Sequence, residues 1–232
     1  MQGLNLYSKI EKYLDIDEQA NALHTTFQDI VAQLNPSSLL DIGCGQGAFL
    51  ETLKDSPIKT LGIDLSSSQI EICNQKNITA KCINIDKVDQ KFDCATAIFD
   101  VINYISKEDI PKFLENINKV LNKDGYLIFD INTLYGFEDV TQGVLNIDLE
   151  DKFIAIDATY DEDILETNIT LFSQDKDCYK KENETIKQYF HSKEFLIKEL
   201  KNYGFEVEAV QNFKLHDVEE SDKQLFIVKK VL

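Results

Sequence analysis

Three glycines within five residues mark where this chain is best suited to hold a ligand by its backbone. The segment Asp41-Ile42-Gly43-Cys44-Gly45-Gln46-Gly47 follows the apolar pair Leu39-Leu40. Glycine lets the chain turn sharply and lets a ligand lie against the main chain. A helix that opens just after such a loop offers unsatisfied N–H groups and the positive end of its dipole. A carboxylate or phosphate is favoured there. Asp64 ends the next apolar run, Leu61-Gly62-Ile63. An acid in that place is set to accept hydrogen bonds from ribose hydroxyls. Loop and acid together indicate an adenosine-bearing ligand. Gly43-Cys44-Gly45-Gln46-Gly47-Ala48 also fits the dinucleotide pattern GxGxxA, so these residues alone leave a nicotinamide cofactor open.

Other reactive residue types are sparse. Of three histidines, His191 stands just before a helix start and is the candidate base. His24 lies beside an apolar helical face and His216 in a loop, and neither is favoured. The five cysteines are odd in number and show no CxxC spacing. Neither a disulfide framework nor a metal site is expected. Four of the five lie in apolar or helical contexts and are expected to be buried.

Charge narrows the partners. The net charge is -17 and every one of the 24 basic residues is Lys. A nucleic-acid partner is disfavoured, because phosphate backbones are bound by basic surfaces. An anionic substrate clamped by Arg is excluded, and a neutral or cationic one fits better. Hydrophobic residues make up 43% of the chain, which suits a packed globular protein. No apolar run approaches the roughly 18–20 residues of a membrane span. Met1-Gln2-Gly3-Leu4-Asn5 has neither a basic start nor an apolar stretch, so a cytoplasmic protein without a signal peptide is expected.

The elements that must position the loop follow from periodicity. Residues 4–34 read as two helices. Tyr7, Ile10, Tyr13 and Leu14 share one face, and Leu23, Phe27, Ile30, Val31 and Leu34 share another. Pro36 breaks the pattern. Strands are expected at Ser38–Ile42, Ile58–Ile63, Ala80–Ile85, Phe92–Phe99 and Tyr126–Ile131. Helices are expected at Gln46–Lys54, from a Ser66 capping box to Gln75, and from Ser106 to a stop at Gly125. The alternation predicts an α/β fold with a mostly parallel sheet and helices on both faces. From about Val144 to Tyr189 the rhythm changes to three alternating strands, Lys152–Tyr160, Ile164–Ser173 and Cys178–Tyr189. They form an antiparallel insertion that reads as a lid or an interface. Ser192–Tyr203 forms a helix stopped by Gly204, and Phe205–Val210 and Gln224–Lys229 form a last strand pair. The expected organisation is a helical cap over 1–36, a ligand-binding domain over 37–143 and 191–232, and the insertion over 144–190.

The stretch from Leu39 to Lys230 resembles the class I S-adenosylmethionine-dependent methyltransferases. Leu40-Asp41-Ile42-Gly43-Cys44-Gly45-Gln46-Gly47 is similar to their first motif and Gly62-Ile63-Asp64-Leu65-Ser66 to their second. Asn84-Ile85-Asp86 resembles the segment whose acid meets the adenine amine. Phe92-Asp93 followed by Phe99-Asp100-Val101-Ile102-Asn103-Tyr104 resembles the fourth strand and the loop beside the reactive methyl. Leu121-Asn122-Lys123-Asp124-Gly125-Tyr126 is similar to a family turn, with Lys123 in place of proline and Asp124 in place of glycine. Gly204-Phe205 and the last strand pair resemble the family's reversed C-terminal hairpin. Phe129-Asp130-Ile131-Asn132-Thr133 and the insertion resemble a narrower group that methylates small molecules, often amines. It includes amino-sugar N,N-dimethyltransferases and glycine-type N-methyltransferases.

The resemblance implies a Rossmann-like seven-stranded sheet and S-adenosylmethionine as cofactor, with S-adenosylhomocysteine as its product. It implies methyl transfer to a small molecule at nitrogen or oxygen. Cofactor contacts are expected from Asp41, Gly43, Cys44, Gly45, Gly47, Asp64, Leu65, Asp86 and Phe99. Ile85, Leu65 and Val88 either flank the adenine or belong to the core. Asn103, Tyr104 and His191 are the expected catalytic residues, and Tyr7, Tyr13, Asn132 and Tyr135 the expected substrate contacts. No metal is expected. The exposed antiparallel sheet is compatible with a homodimer. The rivals are a nicotinamide-dependent oxidoreductase and a protein that binds S-adenosylmethionine without turnover.

Overall fold

A computed structural model describes residues 4–216 and 219–232. Met1 to Gly3, read above for a signal segment, lie outside the described residues. Two short helical pieces open the chain, α1 (Leu4–Ile10) and a 3-10 turn (Glu11–Tyr13), followed by α2 (Asp17–Leu34). Then come β1 (Ser38–Ile42), α3 (Ala48–Thr52), β2 (Lys59–Asp64), α4 (Ser67–Gln75), β3 (Ala80–Cys82), β4 (Phe92–Ala97), α5 (Ile110–Val120) and β5 (Leu121–Asn132). After α6 (Leu134–Val140), strands β6 (Val144–Asp148), β7 (Lys152–Asp161), β8 (Ile164–Asp175) and β9 (Cys178–Tyr189) follow. The chain ends with α7 (Lys193–Asn202), β10 (Phe205–Phe213) and β11 (Lys223–Lys230).

The main sheet runs β3-β2-β1-β4-β5-β11-β10. Its first five strands are parallel, and β11 is antiparallel to both β5 and β10. This is the mostly parallel seven-stranded sheet that the sequence predicts. Successive strand side chains point to opposite faces, so Leu39 and Leu40 serve different cores. Leu40 belongs to the core that also holds Ile117 and Leu121, and Leu196 and Leu200 of α7. Leu39 packs with Leu23, Phe27 and Val31 of α2. Each such fully buried side chain contributes about 1.5–3 kcal/mol. Local signals set the helix ends. Ser66 accepts the Gln69 N–H to open α4, and Ser192 accepts that of Phe195 to open α7. Gly204 takes φ +82° where α7 stops.

The second sheet is antiparallel, in the order β6-β7-β8-β9. Glu162 and Asp163 both take positive φ in its β7–β8 turn, as a tight two-residue hairpin requires. Its buried Ile154, Ile169, Leu171 and Ile186 pack against Leu6 and Ile10 of α1. Glu184 accepts the Leu6 N–H at 2.9 Å, and Lys9 pairs with Glu182 at 2.7 Å.

Several expectations are corrected. The helix predicted to stop at Gly125 ends at Val120. Gly125 instead lies inside β5, where a Cβ would stand 3.0 Å from the carbonyl oxygens of Asn122 and Asp93. The insertion has four strands, because Val144–Asp148 is also one. Helix α6 was not expected. Three cysteines are buried rather than four: Cys82 and Cys178 are exposed, and all five are free thiols. Among the described residues no helix is long and apolar enough to cross a membrane, and no group of side chains is arranged to hold a metal ion.

Candidate functional site

The glycine loop is fastened to the neighbouring strand end. The N–H groups of Gly43 and Cys44 both reach the Ile63 carbonyl, at 2.8 and 3.0 Å. Asp64 then accepts from Gly45 N at 3.0 Å through one carboxylate oxygen and from Ser66 N at 2.8 Å through the other. Two glycines of the loop have different reasons to be glycine. Gly47 takes φ +77°, and a Cβ there would stand 2.6 Å from Ile78 Cδ1. Gly45 takes φ +52°, but a Cβ there meets nothing within 4 Å. Gly47 is demanded by packing, whereas Gly45 borders open space. Asp41 lies below the loop, 3% exposed, accepting the Thr96 hydroxyl at 2.7 Å. Burial pushes its carboxyl up to about 7.

Two cavities meet at this loop. Gly43, Asp64 and Tyr104 line both. The smaller, about 430 Å³, is walled by Ile63, Leu65, Ile83, Ile85 and Phe113, with Asn84 and Asn116 as polar neighbours. The larger, about 610 Å³, has Asp41, Cys44, Gly45, Phe99 and Asp100 on the sheet side. Its opposite wall comes from the N-terminal helices, with Tyr7, Glu11 and His24. Gln46 donates to Glu11 at 2.9 Å, and Ser66 to Asn5 at 2.9 Å, which ties those helices to the loop and to α4. Burial, then the charges of Glu11 and Asp100, hold the Tyr7 hydroxyl far above its ordinary range. Burial, with Asp100 next, does the same for Tyr104. Both remain protonated hydroxyls near neutral pH.

The turn after β4 is strained. Phe99 and Asp100 take φ +63° and +56°, a conformation that costs a non-glycine residue about 1–2 kcal/mol. The buried Asp130 carboxylate accepts both their N–H groups, at 2.7 and 3.1 Å. Lys223, 2% exposed, donates to Asp130 and to Asn132 Oδ1, each at 2.9 Å, and also to Asp100. Burial alone would depress the Lys223 ammonium, but Asp100 and Asp130 outweigh it and keep the charge.

The sequence-predicted site residues fall into two groups. Asp41, Gly43, Cys44, Gly45, Asp64, Leu65, Phe99, Tyr104 and Tyr7 come together around the two cavities. The others lie elsewhere. Gly47 packs behind the loop. Asp86 is exposed and paired with Lys87 at 2.9 Å, while Asn84 and Ile85 line the wall instead. Val88 packs against the core. Asn103 is 0% exposed and bridges two chain segments: Nδ2 donates to Tyr189 O and Oδ1 accepts Asn132 N, both at 2.9 Å. Asn132 is engaged with Asn103 and Lys223. Tyr13 packs with the α1–second-sheet cluster. Tyr135 lines neither cavity. His191 is 0% exposed, bonded to Ile105 O at 2.9 Å and stacked near Phe195, and it lines neither cavity.

Sequence reasoning missed His24, Glu11, Gln69 and Lys223. His24 lies between the rings of Phe49 and Phe99, at centroid distances of 5.9 and 5.6 Å. Its ring nitrogens have no hydrogen-bond partner among the described residues. Burial lowers its pKa to about 4. The one available signal was its place a residue from Leu23, at the edge of the apolar helix face. Lys223 gave no signal, since its partners are distant in sequence.

Comparison with known proteins decides the family. The methyltransferase-domain family matches residues 16–210. The chain belongs to the S-adenosylmethionine-dependent methyltransferases of class I. A putative methyltransferase of Geobacillus sp. (strain WCH70) is 25% identical over 207 residues, covering 83% of each chain. An uncharacterized protein of Rickettsia prowazekii is 38% identical over 118 residues, 45% of this chain and 46% of that one. The chain thus spans about half the length of that relative. Among solved structures, a methyltransferase from Clostridium acetobutylicum superposes with a TM-score of 0.79 at 21% identity, covering 97% and 96% of the two chains. A sugar N-methyltransferase from Streptoalloteichus superposes with a TM-score of 0.75 at 16% identity, covering 98% and 92%. As a class I methyltransferase, the chain uses S-adenosylmethionine as methyl donor, which sets aside the nicotinamide reading of the glycine loop.

Proposed function

We propose that this methyltransferase transfers its methyl group to a nitrogen or oxygen of a small-molecule acceptor held in the larger cavity. One observation carries the reading. Gly43, Asp64 and Tyr104 border both cavities, so an apolar cleft suited to a purine opens directly into a second chamber roofed by the N-terminal helices. In this reading Leu65 and Ile85 flank the adenine and Asp64 accepts from the ribose. Gly43 to Gly45, with Asp41 beneath, receives the methionine tail.

The donor fits the residues present. Gly45 leaves space where a side chain would block close approach. Gln69 lines the larger cavity, and its Oε1 is buried with no hydrogen-bond partner among the described residues, which leaves an acceptor for a ligand's ammonium. When bound, S-adenosylmethionine supplies an activated leaving group, so alignment and exclusion of water do most of the work. Tyr7 and Tyr104 supply hydroxyls that orient the acceptor's heteroatom, and Phe99 closes the wall beside it. His24, neutral at physiological pH, adds a ring nitrogen to the same chamber. Residues 1–36 and the insertion 144–190 act together as the enclosure. The solved sugar N-methyltransferase of the same fold supports a small-molecule acceptor. The lack of Arg favours a neutral or cationic one. The open edge strands β6 and β9 are compatible with a homodimer in the cytoplasm.

Calorimetric titration with S-adenosylhomocysteine and with NAD tests the donor site. The first is expected to bind and the second not. S-adenosylhomocysteine release is then measured over a panel of small amines, alcohols, carboxylates and activated carbon acids. Turnover confined to the carbon acids, or to none, would overturn the acceptor reading.

A further inference from the structure

Asp100 is the point where three distant parts of the chain meet. It lines the larger cavity. One of its carboxylate oxygens takes Lys223, at the start of β11. The other accepts Gln188 Nε2 at 3.1 Å, from β9 of the second sheet. The backbone of Asp100 and that of Phe99 hang in left-handed conformations from the Asp130 carboxylate, which Lys223 also holds. Such a turn keeps its shape only while its surroundings over-determine it. Gln188 is 8% exposed, and the neighbouring Tyr189 carbonyl takes the Asn103 amide at 2.9 Å. The second sheet therefore grips the post-β4 turn at two points.

We infer that Lys223 and Gln188 are positioning residues for the Phe99–Asp100 wall, so that the antiparallel insertion shapes the methyl-donor site itself rather than only covering it. The inference rests on the donor-site reading above. It assigns the wall to the sulfur-bearing tail of the ligand, not to its adenosine half, which sits at Asp64 and Ile85 across the loop.

That division supplies the test. Gln188→Leu, Lys223→Met and Lys223→Arg are titrated with S-adenosylhomocysteine and with adenosine, and near-UV circular dichroism checks folding. Gln188→Leu is expected to weaken S-adenosylhomocysteine about three- to tenfold and leave adenosine unchanged. Lys223→Met is expected to lose more, and Lys223→Arg to recover part of the loss. The inference is overturned if folded Gln188→Leu binds S-adenosylhomocysteine as the parent does, or if it loses both ligands equally. Should Lys223→Met fail to fold, Gln188→Leu decides alone. An unmodified protein that binds neither ligand would overturn the donor-site reading, and this inference with it.

Discussion

The Asp41 carboxylate accepts the Thr96 hydroxyl at 2.7 Å between two central strands, where almost none of it meets water. An acid so placed is better off protonated. Its ordinary pKa of 3.8 rises to about 7 in the fold, chiefly by burial. The stability that follows is fully present below about pH 4 and is lost as pH rises through about 7. The swing is at most about 4 kcal/mol. Asp41→Asn imitates the protonated form, so its melting temperature should exceed the parent's at pH 8 and converge with it near pH 4. Parallel melting curves at every pH would show that Asp41 does not titrate in this window.

His24 has the opposite sign. Burial lowers its pKa from 6.5 to about 4. Its contribution to stability is present above about pH 6.5 and is lost as pH falls through about 4. One histidine resonance is expected to titrate near 4 by NMR and to vanish in His24→Phe. That variant should also lose less stability than the parent between pH 6.5 and 4. A His24 resonance titrating near 6.5 would contradict the burial.

Two glycine substitutions should separate folding from binding. Gly47→Ala forces a Cβ against Ile78 at positive φ, and a stability loss of about 1–3 kcal/mol is expected in urea denaturation. Gly45→Ala has room for its Cβ, so the cost is about 1–2 kcal/mol from φ alone. In the proposed donor site that Cβ enters the ligand's space, so S-adenosylhomocysteine affinity should fall at least about tenfold, the equivalent of one lost hydrogen bond. If Gly45→Ala bound the ligand normally, the loop would not be the contact surface.

Asn103 holds Tyr189 O and Asn132 N inside the protein. Asn103→Ala strands both groups, so a loss of about 2–5 kcal/mol is expected by denaturant titration. A variant of full stability but reduced turnover would instead support the catalytic role read from the sequence.

The parallel sheet was legible because local chemistry and global fold agree there. Leu39 and Leu40 are apolar on both sides, Ser66 caps, and Gly204 stops. Strand β6 was not legible, because four of its five residues are exposed and no alternation marks it. Helix α6 contains Gly136, a poor helix former, and Gly136 is there because a Cβ would stand 2.6 Å from the Asp222 carbonyl. The shape of the glycine loop could be read from spacing, since Asp41, Gly45 and Asp64 are positioned by adjacent strand ends. The chamber wall could not. Lys223 meets Asp100 across 123 positions and Gln188 meets it across 88, and no local pattern announces either contact. The burial of His191 was not legible either. Its place before a helix suggested a surface or functional role, whereas the ring is wedged inside on Ile105.

The roof of the larger cavity and the strands that seat it lie far apart in the chain. Leu6 is fastened to Glu184, 178 positions later, and Leu6 and Ile10 rest on side chains from Ile154 to Ile186. At about 5–20 residues per second on the ribosome, α1 waits roughly 10–40 s for that seat. A ribosome stalled before β9 would therefore carry α1 without the strands it rests on, and the larger cavity without the seat of its roof.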